Sequence, residues 1–377
     1  MTEASMMIIT GEASGDLHGA NLVKAVHRID PGVVFFGIGG AGLKEAGADL
    51  FCDIRVLSVM GLTEVLPKAA ALVRALSAAK RVLRTRRPDV LILIDFPDFN
   101  LNLAKTAKRL NIPVLYYISP KVWAWRSGRV EKIRSRVDRL AIILPFEERF
   151  YKAHDVAADY VGHPLLDTAS ADGPFYGDAE NPGRKKVIGL LPGSREKEVT
   201  AILPVMMAAA CRLSSLDREL TFLVSKAPSM DPVLIERIIA PYRSTVQCDV
   251  TDREAAEIFS ACGFLMAASG TVTLEAAIAG VPMVVLYKMS RLSYGLARRL
   301  VRLEHACLVN LIAEKEVVPE LLQHDAEPKT VAQTVWQLLK DPGALEAMTV
   351  ELKAVRKKIG SPGASERVAR MAMDMVR

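Results

Sequence analysis

At 377 residues the chain exceeds the length at which a single hydrophobic core keeps growing, so two domains are expected. It is 50% hydrophobic and 24% charged, a folded composition that excludes extensive disorder. The net charge of +6 leaves two readings open: solvated helix faces, or attraction to nucleic acid, an acidic bilayer or a phosphorylated substrate. The basic residues gather at Arg74–Arg87, Lys121–Arg139 and Arg291–Arg302. Five cysteines (Cys52, Cys211, Cys248, Cys262, Cys307) lie far apart with no C-x-x-C, which fits buried thiols of a reduced compartment and not a zinc site. Neither a secretory pattern nor an uninterrupted apolar stretch near the roughly 18 residues of a membrane span is found, so a cytoplasmic location is expected.

In chain order, continuous apolar runs at Met6–Thr10, Val33–Phe36, Val90–Asp95, Val114–Ile118 and Leu140–Leu144 predict strands covered on both faces, as in a parallel sheet. Helical composition fills the gaps, for example Ala69–Leu83 and Leu101–Leu110. A segment rich in Gly, Pro, Asp and Ala, Asp167–Lys186, then punctuates the chain. The alternation restarts with strand Val187–Leu191 and an amphipathic helix over Val199–Leu213. Further strands are predicted at Leu220–Val224, Gly263–Ala267 and Met283–Tyr287, and closing helices at Ala344–Lys358 and Ala364–Arg377. The pattern is α/β: two doubly wound halves with a crevice between them.

Ligands of such sheets bind beyond the carboxyl ends of the strands, which singles out five strand-to-helix junctions. The strongest is Leu191-Pro-Gly-Ser-Arg195, where Gly193 lets the backbone turn, Ser194 occupies an N-cap position and Arg195 adds a guanidinium. Free N–H groups at a helix start beside an arginine suit a diphosphate, although an ordinary capped helix has the same pattern. Its companion is Ser269-Gly-Thr271, a second turn of the phosphate type, with Glu275 one helical turn later and suited to ribose hydroxyls. Two such turns in one half are far more specific than either alone.

Thr10-Gly-Glu-Ala-Ser-Gly-Asp16 differs, because Glu12 and Asp16 would repel a pyrophosphate and instead suit sugar hydroxyls or proton transfer. His18 beside it reads equally as a core histidine. Gly37-Ile-Gly-Gly-Ala-Gly42 spells the dinucleotide fingerprint, but after the second strand and before a short helix, a weak context for a nicotinamide cofactor. At Asp95-Phe-Pro-Asp98, Asp95 can end the strand and Asp98 can cap a helix or face the crevice as a base.

These pieces occur in order with Pro97-Asp-Phe-Asn100, Ser119-Pro-Lys-Val-Trp-Ala-Trp-Arg126, Leu144-Pro-Phe-Glu147 and Gly162-His-Pro164. Together they closely resemble the lipid-A-disaccharide synthase family over nearly the whole chain. The resemblance implies a GT-B glycosyltransferase with two Rossmann-like domains, the second holding the donor nucleotide. It implies an inverting, metal-free, cofactor-free transfer from UDP-2,3-diacylglucosamine to 2,3-diacylglucosamine 1-phosphate, giving a β-1,6-linked disaccharide and UDP. It further implies peripheral association with the cytoplasmic face of a Gram-negative inner membrane, and a homodimer that exchanges its tail.

By the same resemblance Gly193, Ser194 and Arg195 meet the diphosphate with Ser269, Gly270 and Thr271. Glu275 binds ribose, Asn310 lies in the donor site, Asp98 is the general base, and Glu12 and Asp16 are essential acids. One departure concerns Leu308-Val-Asn-Leu311: family members read Leu-Pro-Asn-Leu with a glycine soon after, where this chain has Val309 and Glu314. The expected domains are 1–166, facing acceptor and membrane, 167–343, binding the UDP-sugar, and a helical tail, 344–377, packing back on the first. Met60, Leu62, Val65, Leu66, Leu72 and Val73 beside Arg74 form a candidate membrane face, with a buried amphipathic helix as the alternative; Trp123 and Trp125 are a second. A different GT-B enzyme, such as a peptidoglycan glycosyltransferase or a UDP-sugar epimerase, remains the alternative activity. No nucleic-acid motif supports a nucleic-acid partner.

Overall fold

The computed structural model describes residues 3–55, 65–123, 128–167, 175–176, 184–228, 230–289 and 305–376. Met60, Leu62, Trp125, Arg126 and the basic stretch Arg291–Arg302 lie outside them. The chain forms two compact units, one of Met1–Asp167 with Ser361–Arg377, the other of Thr168–Gly360.

Among the described residues, unit 1 holds a seven-stranded parallel sheet: β1 Ser5–Ile9, β2 Val34–Gly39, β3 Asp49–Asp53, β4 Val90–Ile94, β5 Val114–Tyr117, β6 Arg139–Ile142 and β7 Asp159–Tyr160. Their order is β3-β2-β1-β4-β5-β6-β7, so the chain winds outward from β1 and reverses at the β1–β4 neighbours. Register aligns Ile9 with Leu93 and with Ile38, which brings the ends of β1, β2 and β4 level at one edge. Helices Ala13–Ile29 and Pro97–Arg109 leave that edge. The apolar runs fill a core that includes Ile9, Phe36, Leu93, Leu103, Tyr116 and Ile133. Each such side chain contributes about 1.5–3 kcal/mol on burial.

Unit 2 repeats the plan with β8 Val187–Leu191, β9 Thr221–Ser225, β10 Cys248–Thr251, β11 Phe264–Ala268, β12 Met283–Tyr287 and β13 Glu320–Leu322, ordered β10-β9-β8-β11-β12-β13. Helix Glu196–Leu216 is long and apolar enough to cross a membrane by length and composition, but its Val199, Leu203, Met206 and Ala210 face lies in the unit-2 core.

The final stretch divides between the units. Helix Pro342–Lys358 belongs to unit 2, whereas helix Ala364–Met373 belongs to unit 1, so the unit boundary falls at Gly360 rather than at the expected Ala344. Asp167 anchors the last helix: its carboxylate accepts from the backbone N–H of Gly363 (2.6 Å), Ala364 (3.1 Å) and Ser365 (2.8 Å). Those donors open a helix and have no intrahelical acceptor, so a carboxylate satisfies them and complements the helix dipole. Of the candidate membrane face, Leu72 packs partly buried against the core and Val73 is exposed. Trp123 is half-buried, donates to Glu147 (3.0 Å) and packs edge-on against Phe146, which is an interior role.

Candidate functional site

In unit 2 the two phosphate-type turns leave adjacent strands. β8 pairs with β11, Leu191 opposite Ala267, so Gly193–Arg195 and Ser269–Thr271 emerge side by side at the carboxyl edge. Gly193 has φ 105, a left-handed conformation that favours glycine. A Cβ there would also meet Glu198 at 2.8 Å. The helix begins at Glu196 with Arg195 as its N-cap, one residue later than the expected Ser194. Arg195 is about half exposed and reaches Glu198 across 2.9 Å. At the second turn, Gly270 is extended and a Cβ there would meet nothing within 4 Å, so the mouth of helix Thr271–Ala279 is open. The first turn of each helix presents backbone N–H groups without intrahelical acceptors. Tyr287 ends β12 close enough for Glu198 and Arg195 to act on its hydroxyl, whose pKa burial raises.

Glu275 lies one turn into the second helix, half-buried, and among the described residues its carboxylate forms no hydrogen bond. Burial raises its pKa, and the charge of Glu254 adds to the effect. An under-satisfied carboxylate of this kind gains when a ligand donates to it. Asn310, by contrast, is fully buried and engaged at every position: Nδ2 donates to Val318 O (2.8 Å) and Glu320 Oε1 (2.7 Å), and Oδ1 accepts from Val317 N (2.8 Å) and Val318 N (3.0 Å). It pins the 314–320 loop from within. Glu314, where the family pattern has a glycine nearby, ends helix Leu308–Ala313 at φ 61, ψ 26. A non-glycine residue thus takes the left-handed C-cap that glycine normally fills.

In unit 1 the fingerprint-like turn Gly37–Gly42 is occupied by the chain itself. Asp16 accepts from Gly40 N (2.6 Å), Gly42 N (2.9 Å) and Leu43 N (3.3 Å). The amides that would cradle a pyrophosphate therefore hold an internal carboxylate, which argues physically against a dinucleotide there. Gly37 is required for another reason: a Cβ would overlap the Ile8 carbonyl oxygen at 1.7 Å. Asp16 is buried with both oxygens engaged, the geometry of an anchor.

Glu12 precedes helix Ala13–Ile29, is exposed, and accepts from Ser14 Oγ at 3.1 Å. Asp98 opens helix Pro97–Arg109, is exposed, and receives Arg129 Nη2 on both oxygens at 2.7 Å. Between them Asp95 ends the strand side, partly buried, its carboxyl pKa pushed up to about 6 by burial and then by the charge of Glu12, against the opposing Lys121. Sequence patterning did not single out Asp95, because an acid after an apolar run reads as a strand end. His18 and His163 are buried nearby, and burial lowers their pKa values to about 4 and about 3. So unit 1 gathers carboxylates at its edge and unit 2 gathers amides, hydroxyls and a guanidinium.

Residues 6–370 match the family model described as lipid-A-disaccharide synthetase. The chain belongs to the lipid-A-disaccharide synthase family. The family's enzyme from Geobacter sulfurreducens is 41% identical over 379 residues, an alignment covering 100% of this chain and 98% of that one. The Anaeromyxobacter dehalogenans enzyme is 43% identical, covering 99% and 97%. As a family member this chain is a glycosyltransferase. Solved structures carry the same fold at low identity. The UDP-GlcNAc 2-epimerase of Neisseria meningitidis, in a structure bound to UDP-GlcNAc, has a TM-score of 0.66 at 12% identity and covers 98% of this chain and 100% of its own. A calicheamicin glycosyltransferase has a TM-score of 0.63 at 16% identity, covering 100% and 98%. The fold is α/β of the GT-B class.

Proposed function

We propose that the chain transfers 2,3-diacylglucosamine from its UDP conjugate to the 6-hydroxyl of 2,3-diacylglucosamine 1-phosphate, forming a β-1,6 bond and releasing UDP. The observation that carries the reading is the pair of helix N-termini leaving neighbouring strands β8 and β11, with Arg195 at one and Glu275 free to accept at the other. Unit 2 then holds the donor: the N–H groups and Arg195 take the diphosphate, with Ser194, Ser269 and Thr271 offering hydroxyls, and Glu275 takes ribose hydroxyls. As the anomeric bond breaks, negative charge grows on the leaving diphosphate, and preorganised donors stabilise it without rearranging. Asn310 supports this site by fixing the loop around it.

Unit 1 supplies the base. A single inverting displacement needs one carboxylate to take the acceptor proton as the new bond forms. Asp98 is the residue the family resemblance prefers, with Glu12 second; Asp16 serves as the anchor of the Gly40–Leu43 turn. Arg129 beside Asp98 adds positive charge where an acceptor phosphate is accommodated.

Both substrates are acylated, so peripheral contact with a bilayer at the cytoplasmic side belongs to the same reading. Loss of co-sedimentation with anionic vesicles in Leu62→Ser/Leu66→Ser supports that contact, and unchanged co-sedimentation removes it. The central assay combines both substrates with EDTA and follows UDP release. Wild-type turnover is expected; its absence with these substrates would sink the proposal. Turnover of UDP-GlcNAc to its 2-epimer instead would favour the epimerase alternative.

A further inference from the structure

The base assignment can be sharpened, resting on the function proposed above, because the three carboxylates at the unit-1 edge differ in circumstance. Asp98 is exposed and already receives Arg129 on both oxygens. Glu12 is exposed and accepts from Ser14. Asp95 alone is partly buried and set in a strained, clamped backbone.

That backbone is unusual. Asp95 has φ 45 and Phe96 φ 48, the one consecutive pair of non-glycine left-handed residues among those described. Such residues are unfavourable and persist only where their surroundings over-determine them, which is characteristic of functional sites. Here the surroundings are identifiable. Tyr116 donates its hydroxyl to Asp95 O at 2.5 Å, Asn100 Nδ2 donates to the same carbonyl at 2.7 Å, and Asn100 also reaches Ile94 O at 3.2 Å. Asn100 is fully buried and Tyr116 is fully buried, so the clamp is built into the core. On the other side the Phe96 ring closes over Gly11, where a Cβ would stand 2.3 Å from Cγ. This contact fixes the Gly11–Glu12 turn against the Asp95–Phe96 turn.

The groups acting on the Asp95 carboxyl come from every neighbouring element. Glu12 faces it from the β1 turn and Lys121 from the segment after β5, with the Phe96 N–H donating to it locally. Tyr116 of β5 lies beside it as well. A base is most effective when its proton affinity is matched to the working pH, and partial burial next to a second carboxylate is how proteins raise it.

We propose that Asp95 is the proton acceptor of the transfer and that Glu12 sets its basicity. As the acceptor oxygen bonds to the anomeric carbon, the bond from that carbon to the diphosphate oxygen breaks and its electron pair leaves on UDP. The hydroxyl proton passes to the Asp95 carboxylate. Asp98, held by Arg129, then orients the acceptor instead of receiving the proton.

Three measurements on the full-length enzyme test this. Asp95→Asn is expected to lower kcat by about 10² or more, with the donor KM within a few fold. The same variant is expected to unfold at pH 8 at a midpoint equal to or above wild type, because it removes a buried charge. An Asp95→Asn enzyme that keeps its rate, or that loses stability together with rate, overturns the proposal. Carboxyl ¹³C NMR supplies a readout independent of turnover. The Asp95 resonance is expected to titrate near pH 6 in wild type and at lower pH in Glu12→Gln. An Asp95 titration unmoved by Glu12→Gln overturns the pairing. Should wild type fail to release UDP from the acylated substrates, the function reading falls, while the titration still reports on the pair.

Discussion

The two units solve the same geometric problem in opposite ways. Each has a glycine-bearing turn that opens a helix at the carboxyl edge of its sheet. In unit 1 the turn at Gly40–Leu43 is filled from within by Asp16. In unit 2 the turn at Gly193–Arg195 carries a guanidinium, and its partner at Gly270 opens to free space. An amide cradle is therefore not a binding site until one asks what already sits in it. Where the chain supplies its own anion, the turn is structural; where it supplies only donors, it awaits a ligand.

The comparison breaks most sharply at Arg195. Arg195→Ala should lower kcat for UDP release by about 10²–10³, the scale on which a preorganised donor to a leaving anion acts. A rate within threefold of wild type would mean the unit-2 turn is no more a diphosphate site than its unit-1 counterpart. The reciprocal change is Asp16→Ala. It should destabilise unit 1 by about 3 kcal/mol, since three backbone donors lose their acceptor, while UDP affinity is retained. Denaturant unfolding beside UDP titration checks both, and a large loss of UDP affinity in a stable variant would refute the structural reading of Asp16.

The units should also separate by acid sensitivity. His18 and His163, both of unit 1, are held neutral by burial, with pKa values of about 4 and about 3. Their folded values lie below the ordinary histidine value, so the unfolded chain binds more protons between that value and the folded ones. Stability is present above about pH 6.5 and is lost as pH falls toward 4. Asp95 works in the opposite sense, because its raised value, about 6, makes protonation favour the folded state as pH falls. The two histidines outweigh it, and a net loss on the order of 2 kcal/mol between pH 7 and pH 5 is expected. Hydrogen exchange resolved by segment should show the loss in unit 1. Equal loss in both units would point to a general charge effect instead.

The smallest effect is at Glu314. Replacing this left-handed C-cap by glycine should raise stability by about 0.5 kcal/mol, relief of strain outweighing added chain entropy, read as an upward shift in Tm. A fall in Tm would show that the Glu314 side chain holds the loop by contacts of its own.

Much of this architecture is readable from the chain. Strands β1, β4, β8 and β12 follow from continuous apolar runs, because a strand covered on both faces leaves no polar position. Leu191–Arg195 and Ser269–Thr271 stand out because glycine beside hydroxyls after such a run has few other uses. The edge strands β3, β7, β10 and β13 escape the same reading. They are short, and Asp49-Leu-Phe-Cys-Asp53 or Cys248-Asp-Val-Thr251 is exposed along one side, so no unbroken run forms.

What the sequence determines by itself is local: periodicity, turn chemistry and which residue types stand at strand ends. What the tertiary structure alone decides is pairing at a distance. Asp16 meets amides 24 to 27 residues away because β2 lies beside β1. Glu12 reaches Asp95 because β4 flanks β1 on its other side. Asp167 finds the helix at Gly363 across 196 residues. A carboxylate's role depends on which donors and charges surround it, and those neighbours are set by strand order, which no residue's own sequence context contains.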